Sequence, residues 1–300
     1  MIRMNRVNRR VNSRKIIGRL TYSPEKHKQK FTKTQRACLS NRPPDKPPKP
    51  LTNKPTITFG SLNVNGLDQE AHWAVTELIK SHNIDVSNKS DVSGFASWRT
   101  ERGGGDKGGG GMCILYKETL KPHQWTPPVP FHLHHIENER QWLLIDNGKE
   151  KIALLHCYIA CQNSTNNDYI QWNEDLFHLM SIELTKLRDQ GFLVLCLGDF
   201  NSRIGRIPGL EKNNPDINKN GPMFLNFITQ ANLVILNTLP IAKGLFTRFM
   251  NGSKSLLDYG MIDPDHVANV TSFTIDEEAR YGCGSDHALL IAKLVFGESA

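Results

Sequence analysis

Asp199 and Asn201 close the apolar run Phe192-Leu193-Val194-Leu195-Cys196-Leu197, with only Gly198 between the run and the carboxylate. An unbroken apolar run bounded by Gly191 and Gly198 predicts a strand covered on both faces. If the backbone stays extended, Asp199 and Asn201 share one face. A carboxylate and an amide so placed can hold a hard cation and a phosphate together, although Gly-Asp-Phe-Asn reads equally well as a polar turn after a core strand. Two other stretches carry comparable chemistry. Gly282-Cys283-Gly284-Ser285-Asp286-His287 places a hydroxyl, a carboxylate and an imidazole in one turn, for which a capped turn is the plainer reading when it is taken alone. In Ser255-Leu256-Leu257-Asp258-Tyr259-Gly260-Met261-Ile262, an acid interrupts an apolar strand and needs a partner, because burying an unpaired charge is costly.

The elements that must position these residues follow from periodicity. Residues 56–66 alternate apolar with small or polar residues and close on Asn65-Gly66, as a strand entering a turn does; Ala71, Ala74, Val75, Leu78 and Ile79 then recur at helical spacing. Ile84-Asp85-Val86 starts a second core strand that the polar Ser87-Asn88-Lys89-Ser90-Asp91 cuts short. The glycine run at 103–111 lacks the Gly-Lys-Ser/Thr ending of a phosphate loop and reads as a flexible connection. Strands are expected over 112–117, 141–146 and 151–159, with His132, His134 and His135 as loop histidines, since no Cys or acid joins them at zinc spacing. Leu176, Leu179, Met180, Leu184 and Leu187 make the stripe of a long helix that Gly191 caps. Residues 205–220 read as a loop, Phe224 to Ala231 as a helix, and 233–238, 246–249, 255–262, 269–275 and 288–296 as strands. Many short strands with a few helices predict an α/β sandwich of two packed sheets with helices outside.

The 300 residues carry a net charge of +7, concentrated before residue 55, where Glu25 and Asp45 are the only acids. With the Pro-rich stretch 42–50, residues 1–55 read as a disordered basic arm and stiff linker; a transit peptide is the lesser reading of the Arg-rich opening. Such charge suits a polyanionic partner. The six cysteines show no metal-ligand spacing, and free thiols in apolar strands imply a reducing compartment, in which the sequons at Asn163, Asn251 and Asn269 stay unused. No apolar run is long enough to span a bilayer and no secretory h-region opens the chain, so the expected location is intracellular, nucleus or cytoplasm.

Five islands in one order, Leu62-Asn63-Val64-Asn65-Gly66, His156-Cys157-Tyr158, Gly198-Asp199-Phe200-Asn201, Leu257-Asp258-Tyr259 and Ser285-Asp286-His287, resemble the endonuclease/exonuclease/phosphatase superfamily over residues 56–297. Phe246-Thr247-Arg248 and Gly-Asp-Phe-Asn-Ser-Arg-Ile-Gly make the chain most similar to endonuclease domains of non-LTR retrotransposons. The resemblance implies a four-layer, DNase I-like α/β sandwich of mainly antiparallel sheets and a metal-dependent phosphodiesterase acting on the DNA backbone. It implies His287 as general base, Asp258 as its orienting partner, and Asp199 and Asn201 as positioners of water and phosphate. Tyr158, with Asn201, Thr247 and Arg248, would contact substrate; Asn63 and Asp286 would bind Mg²⁺, or Mn²⁺ in its place. No obligate protein partner is implied.

One departure stands out. The superfamily's principal metal-binding glutamate ends the second core strand, where this chain has Val86-Ser87-Asn88-Lys89-Ser90 and resumes the pattern near Val92. A strand near 86–92 is therefore expected to be missing with its glutamate, weakening metal binding and straining the sheet. Asp85, Asp91 and Glu101 are the nearest acids. Impaired hydrolysis follows, with two alternatives: an inactive nucleic-acid-binding remnant, or a phosphatase acting on phosphoinositide or nucleotide substrates.

Overall fold

The computed structural model describes residues 56–64, 69–87, 95–101, 111–130, 133, 136, 139–148, 150–161, 168–280 and 284–295. The basic arm, the three loop histidines, Asp91 and the glycine run at 103–110 lie outside them. In chain order the strands are β1 (Thr56–Ser61), β2 (Val86–Ser87), β3 (Phe95–Glu101), β4 (Gly111–Lys117), β5 (His123–Trp125), β6 (Arg140–Asp146), β7 (Lys151–Tyr158) and β8 (Leu193–Asp199). They continue as β9 (Val234–Ile235), β10 (Ala242–Lys243), β11 (Arg248–Met250), β12 (Ser253–Ser255), β13 (Asp258–Ile262), β14 (Val270–Asp276) and β15 (Leu289–Val295). Among the described residues, the α-helices are α1 (Gln69–Ser81), α2 (Asp168–Asp189) and α3 (Asn220–Gln230).

The strands form a seven-stranded sheet ordered β10-β14-β15-β1-β2-β4-β3 and a six-stranded sheet ordered β5-β6-β7-β8-β13-β9, both mainly antiparallel, while β11 and β12 make a separate hairpin. Side-chain alternation along β8 separates the layers. Leu193, Leu195 and Leu197 meet Phe59, Ile114, Phe273 and Leu290 of the other sheet, whereas Val194 and Cys196 face Phe177, Met180 and Leu184 of α2 and Phe224 of α3. On the far side, α1 packs Val75 and Ile79 against Leu289 and Ile291. The result is the four-layer sandwich of the DNase I type. A strand covered on both faces has no polar face, which is why β8 reads as one apolar run.

Where a strand was expected to be missing, the two residues of β2 fill the slot, parallel to β1 and antiparallel to β4. Asp85 completes this short junction. Its backbone N–H donates to Thr58 O at 2.8 Å, its carboxylate accepts from Thr58 N at 2.9 Å, and Lys117 Nζ lies 2.5 Å from Oδ1. Asp85 is therefore engaged in holding the sheet together.

Three boundaries differ from expectation for tertiary reasons. Residues 236–238 turn as a 3₁₀ helix instead of prolonging β9. The stretch 255–262 divides between the hairpin strand β12 and the sheet strand β13, because Leu257 N is taken by Thr247 Oγ1 at 2.9 Å. Helix α3 begins at Asn220, before its first apolar residue. Among the described residues, no helix is long and apolar enough to cross a membrane.

Candidate active site

Strands β8 and β13 pair so that Asp199 lies directly opposite Asp258. Like charges opposed across a ladder repel, and both residues are buried, at 4% exposure each. His287 answers that repulsion. Its Nδ1–H donates to Asp258 Oδ2 at 2.9 Å and Oδ1 at 3.1 Å, and its Nε2 looks toward Asp199 Oδ2 at 3.8 Å, too far for a direct hydrogen bond. Burial pulls the imidazole pKa down, but the Asp258 charge and hydrogen bond, then the charges of Asp199 and Asp286, outweigh it and lift the pKa to about 9. For Asp199, burial and then the Asp258 charge raise the carboxyl to about 7 against the opposing pull of His287.

Asn201 joins Asp199 differently from the extended geometry expected. The strand ends at Asp199 and Asn201 turns left-handed, with φ of 44°. Its backbone N–H then donates to Asp199 Oδ1 at 2.9 Å, and its side-chain amide to Ile159 O at 2.9 Å and Asp199 Oδ2 at 3.3 Å. Between them, Phe200 points away into the core, with its ring 4.7 Å from Phe224, which in turn lies 4.6 Å from Tyr259. Tyr259 OH donates to Ser202 O at 2.7 Å, clamping the turn from below. Two buried or part-buried amides hold it from above, with Asn218 Nδ2 donating to Asn201 O at 2.7 Å and Asn220 Nδ2 at 3.1 Å. Neither belongs to a motif of the sequence, where their one signal is the density of Asn in a stretch that reads as loop.

The remaining site residues converge from other elements. Asn63, just beyond β1, donates its amide to Asp199 Oδ2 at 2.8 Å. Ser285 Oγ donates to Asn63 O at 2.5 Å and accepts His287 N at 2.9 Å, stapling the Asn63 segment beside the turn carrying Asp286. Tyr158 ends β7 in register with Asp199 and is part-buried. Arg248 bridges to His287 through the backbone, and its Nε donates to Asp286 Oδ2 at 3.0 Å. Thr247 departs from the substrate contact expected of it. It is fully buried, and its hydroxyl accepts the backbone N–H of both Leu257 and Asp258 at 2.9 Å, so it fixes the start of β13. Asn237, unforeseen, does the same from the other side, its Oδ1 accepting Gly260 N at 3.0 Å and its Nδ2 donating to Asp258 O at 3.3 Å.

Asp199, Asp258 and His287 bring one ligand atom each within 4.8 Å of one another, a spacing that could hold a metal ion. Their hydrogen bonds favour a different use: Nδ1 is committed to Asp258, and both Asp199 oxygens accept amide N–H groups. Asn63 and Asp286, the residues the resemblance implies for the cation, lie on segments that Ser285 Oγ ties together through Asn63 O, and Asp286 Oδ2 already accepts from Arg248 Nε. The arrangement is that of an oriented imidazole beside a carboxylate and amides, groups that can exchange a proton with a bound water.

The Endonuclease/Exonuclease/phosphatase family model matches residues 60–287. Among solved structures, the chain is similar to the endonuclease domain of TRAS1, a telomere-specific non-LTR retrotransposon, at 14% identity and TM-score 0.55, over 81% of this chain and 100% of that one. It is similar to the AP endonuclease LMAP from Leishmania major (14%, TM-score 0.65, 89% and 100%) and to the 3′ phosphatase NExo from Neisseria bound to a product DNA hairpin (16%, 0.62, 80% and 100%). At such identities these structures speak for the fold. No curated protein matches the chain. With the match spanning every element that carries the site, from Asn63 to His287, the chain belongs to the endonuclease/exonuclease/phosphatase family.

Proposed function

We propose that the chain is a divalent-cation-dependent phosphodiesterase that nicks DNA, with catalysis impaired by loss of the metal-binding glutamate. The observation that carries this reading is the imidazole of His287, fixed on Asp258 through Nδ1 with Nε2 turned toward Asp199. His287 Nε2 takes a proton from water; the water oxygen bonds to phosphorus as the P–O3′ bond breaks, and the leaving oxygen picks up a proton to become a 3′-hydroxyl. Asp258 stabilises the imidazolium. Asp199 and Asn201 orient the water and a phosphate oxygen, and Tyr158 and Arg248 donate to the phosphate. Asn63 and Asp286 would hold Mg²⁺, or Mn²⁺ in its place, which when bound neutralises charge developing on the phosphoryl oxygens. DNA as substrate is supported by the DNA hairpin in the Neisseria phosphatase structure and by the chain's net charge of +7. The test is supercoiled-plasmid nicking across a Mg²⁺ and Mn²⁺ series: weak, cation-dependent nicking lost in His287→Ala is expected. Nicking that survives the substitution defeats the reading, and robust nicking at low cation concentration defeats the impairment.

A second reading, binding of nucleic acid without hydrolysis, is favoured by the Arg248–Asp286 ion pair, which places a guanidinium on a carboxylate the cation needs. Here the basic arm supplies affinity, so deleting residues 1–55 abolishes salt-sensitive DNA binding; unchanged affinity after the deletion rules it out.

A further inference from the structure

The Arg248–Asp286 pair is built into the site. Arg248 sits at the first position of β11, in register with Ser255, and forms a bridge with His287 on its other side. Phe249 N donates to Asp286 O at 2.7 Å and Ala288 N to Thr247 O at 2.7 Å, so the hairpin backbone is laced to the turn that carries Asp286. The guanidinium is placed from both ends: Nε donates to Asp286 Oδ2 at 3.0 Å and Nη2 reaches Met250 Sδ at 2.9 Å. Both side chains are largely shielded, at 28% and 20% exposure, so the attraction is less screened than on an open surface. An arginine stays charged under all ordinary conditions. A second cation approaching Asp286 must therefore share the carboxylate with a fixed positive charge or displace it.

We propose that Arg248 is a resident counter-cation of Asp286, competing with divalent ions for that carboxylate and setting how much cation the site demands. The inference rests on the reading of Asp286 as a cation ligand given above. It assigns Arg248 a role in the free protein distinct from any contact with substrate, and it makes the lack of the glutamate and the presence of the arginine act in the same direction, toward a weakly occupied cation site.

The test is Mn²⁺ titration of the metal-stripped full-length chain without DNA, following the electron paramagnetic resonance signal of free Mn²⁺. Arg248→Gln is expected to bind on the order of tenfold more tightly than the unsubstituted chain at low ionic strength, Arg248→Lys to stay near it, and adding Asp286→Asn to Arg248→Gln to erase the gain. Arg248→Met, which keeps an aliphatic stem, gives the same readout should the glutamine variant fail to fold. Affinity that is unchanged or weaker on removing the charge, or a gain that survives Asp286→Asn, overturns the proposal. Because binding is read without substrate, a chain that behaves as expected here but never nicks DNA defeats the hydrolase reading alone.

Discussion

Two aspartates of identical chemistry face each other across one strand pair, and their surroundings separate them. Asp258 is held by the Nδ1–H of His287 and by backbone supports from Thr247 and Asn237; Asp199 receives amide donors from Asn63 and Asn201 and is buried opposite a second carboxylate. The imidazole is accordingly protonated more firmly than a free histidine, and it can act as a base only once that proton has left. Single-turnover nicking should rise with pH toward the region of 9. Asp258→Asn removes the charge that most raises the imidazole, so its profile should turn over at lower pH while the plateau rate falls about 10²–10⁴-fold. A pH profile of nicking for the two proteins checks this, and an unmoved inflection would separate His287 from the rate. The residues themselves were legible in the sequence as small motifs; what each does was not, as Thr247 shows. A Phe-Thr-Arg triplet cannot reveal that its hydroxyl is enclosed and spent on two backbone N–H groups.

At the scale of elements, the site is a rim where strand ends are forced to bend. Gly198 is required there by proximity to β7, since a Cβ on it would lie 2.2 Å from the carbonyl oxygen of Cys157. That contact is with backbone in the centre of a sheet, which cannot retreat without breaking the β7–β8 ladder. Gly198→Ala should therefore destabilise the chain by roughly 3 kcal/mol or more, measured by urea denaturation, and cost activity by moving Asp199; a loss within ~0.5 kcal/mol would mean the two strands are not tightly registered. Elements with one strong periodicity, β8 and α2, could be read directly. The two-residue β2 could not: its place between β1 and β4 depends on Asp85 reaching Thr58 and Lys117, contacts 27 and 32 residues away in the chain.

For the whole molecule, the site is a store of unfavourable electrostatics that the rest of the fold must hold together. The folded-state pKa of Asp199 is raised from 3.8 to about 7, so its contribution to stability is fully present below the unfolded value and is lost as pH rises through 7; His287, raised from 6.5 to about 9, loses its contribution as pH rises through 9. Both slopes have the same sign. In metal-free buffer, the stability of the unsubstituted chain relative to Asp199→Asn should fall as pH rises from about 4 to about 9, by on the order of 2–4 kcal/mol in all. Urea midpoints for the two proteins at pH 5, 7 and 9 give the comparison, and a flat difference would show that Asp199 is not so enclosed. Sequence alone settled the identity of the chemical groups, their order along the chain and the layered sandwich, because side-chain periodicity and motif order are local properties that any residue carries with its neighbours. Only the tertiary structure decided that Asp199 opposes Asp258, that His287 stands between them, that Arg248 occupies Asp286 and that Asp85 is spent on the sheet. Strand register and the distance between remote segments are set by packing across the whole domain, and no stretch of chain holds that information by itself.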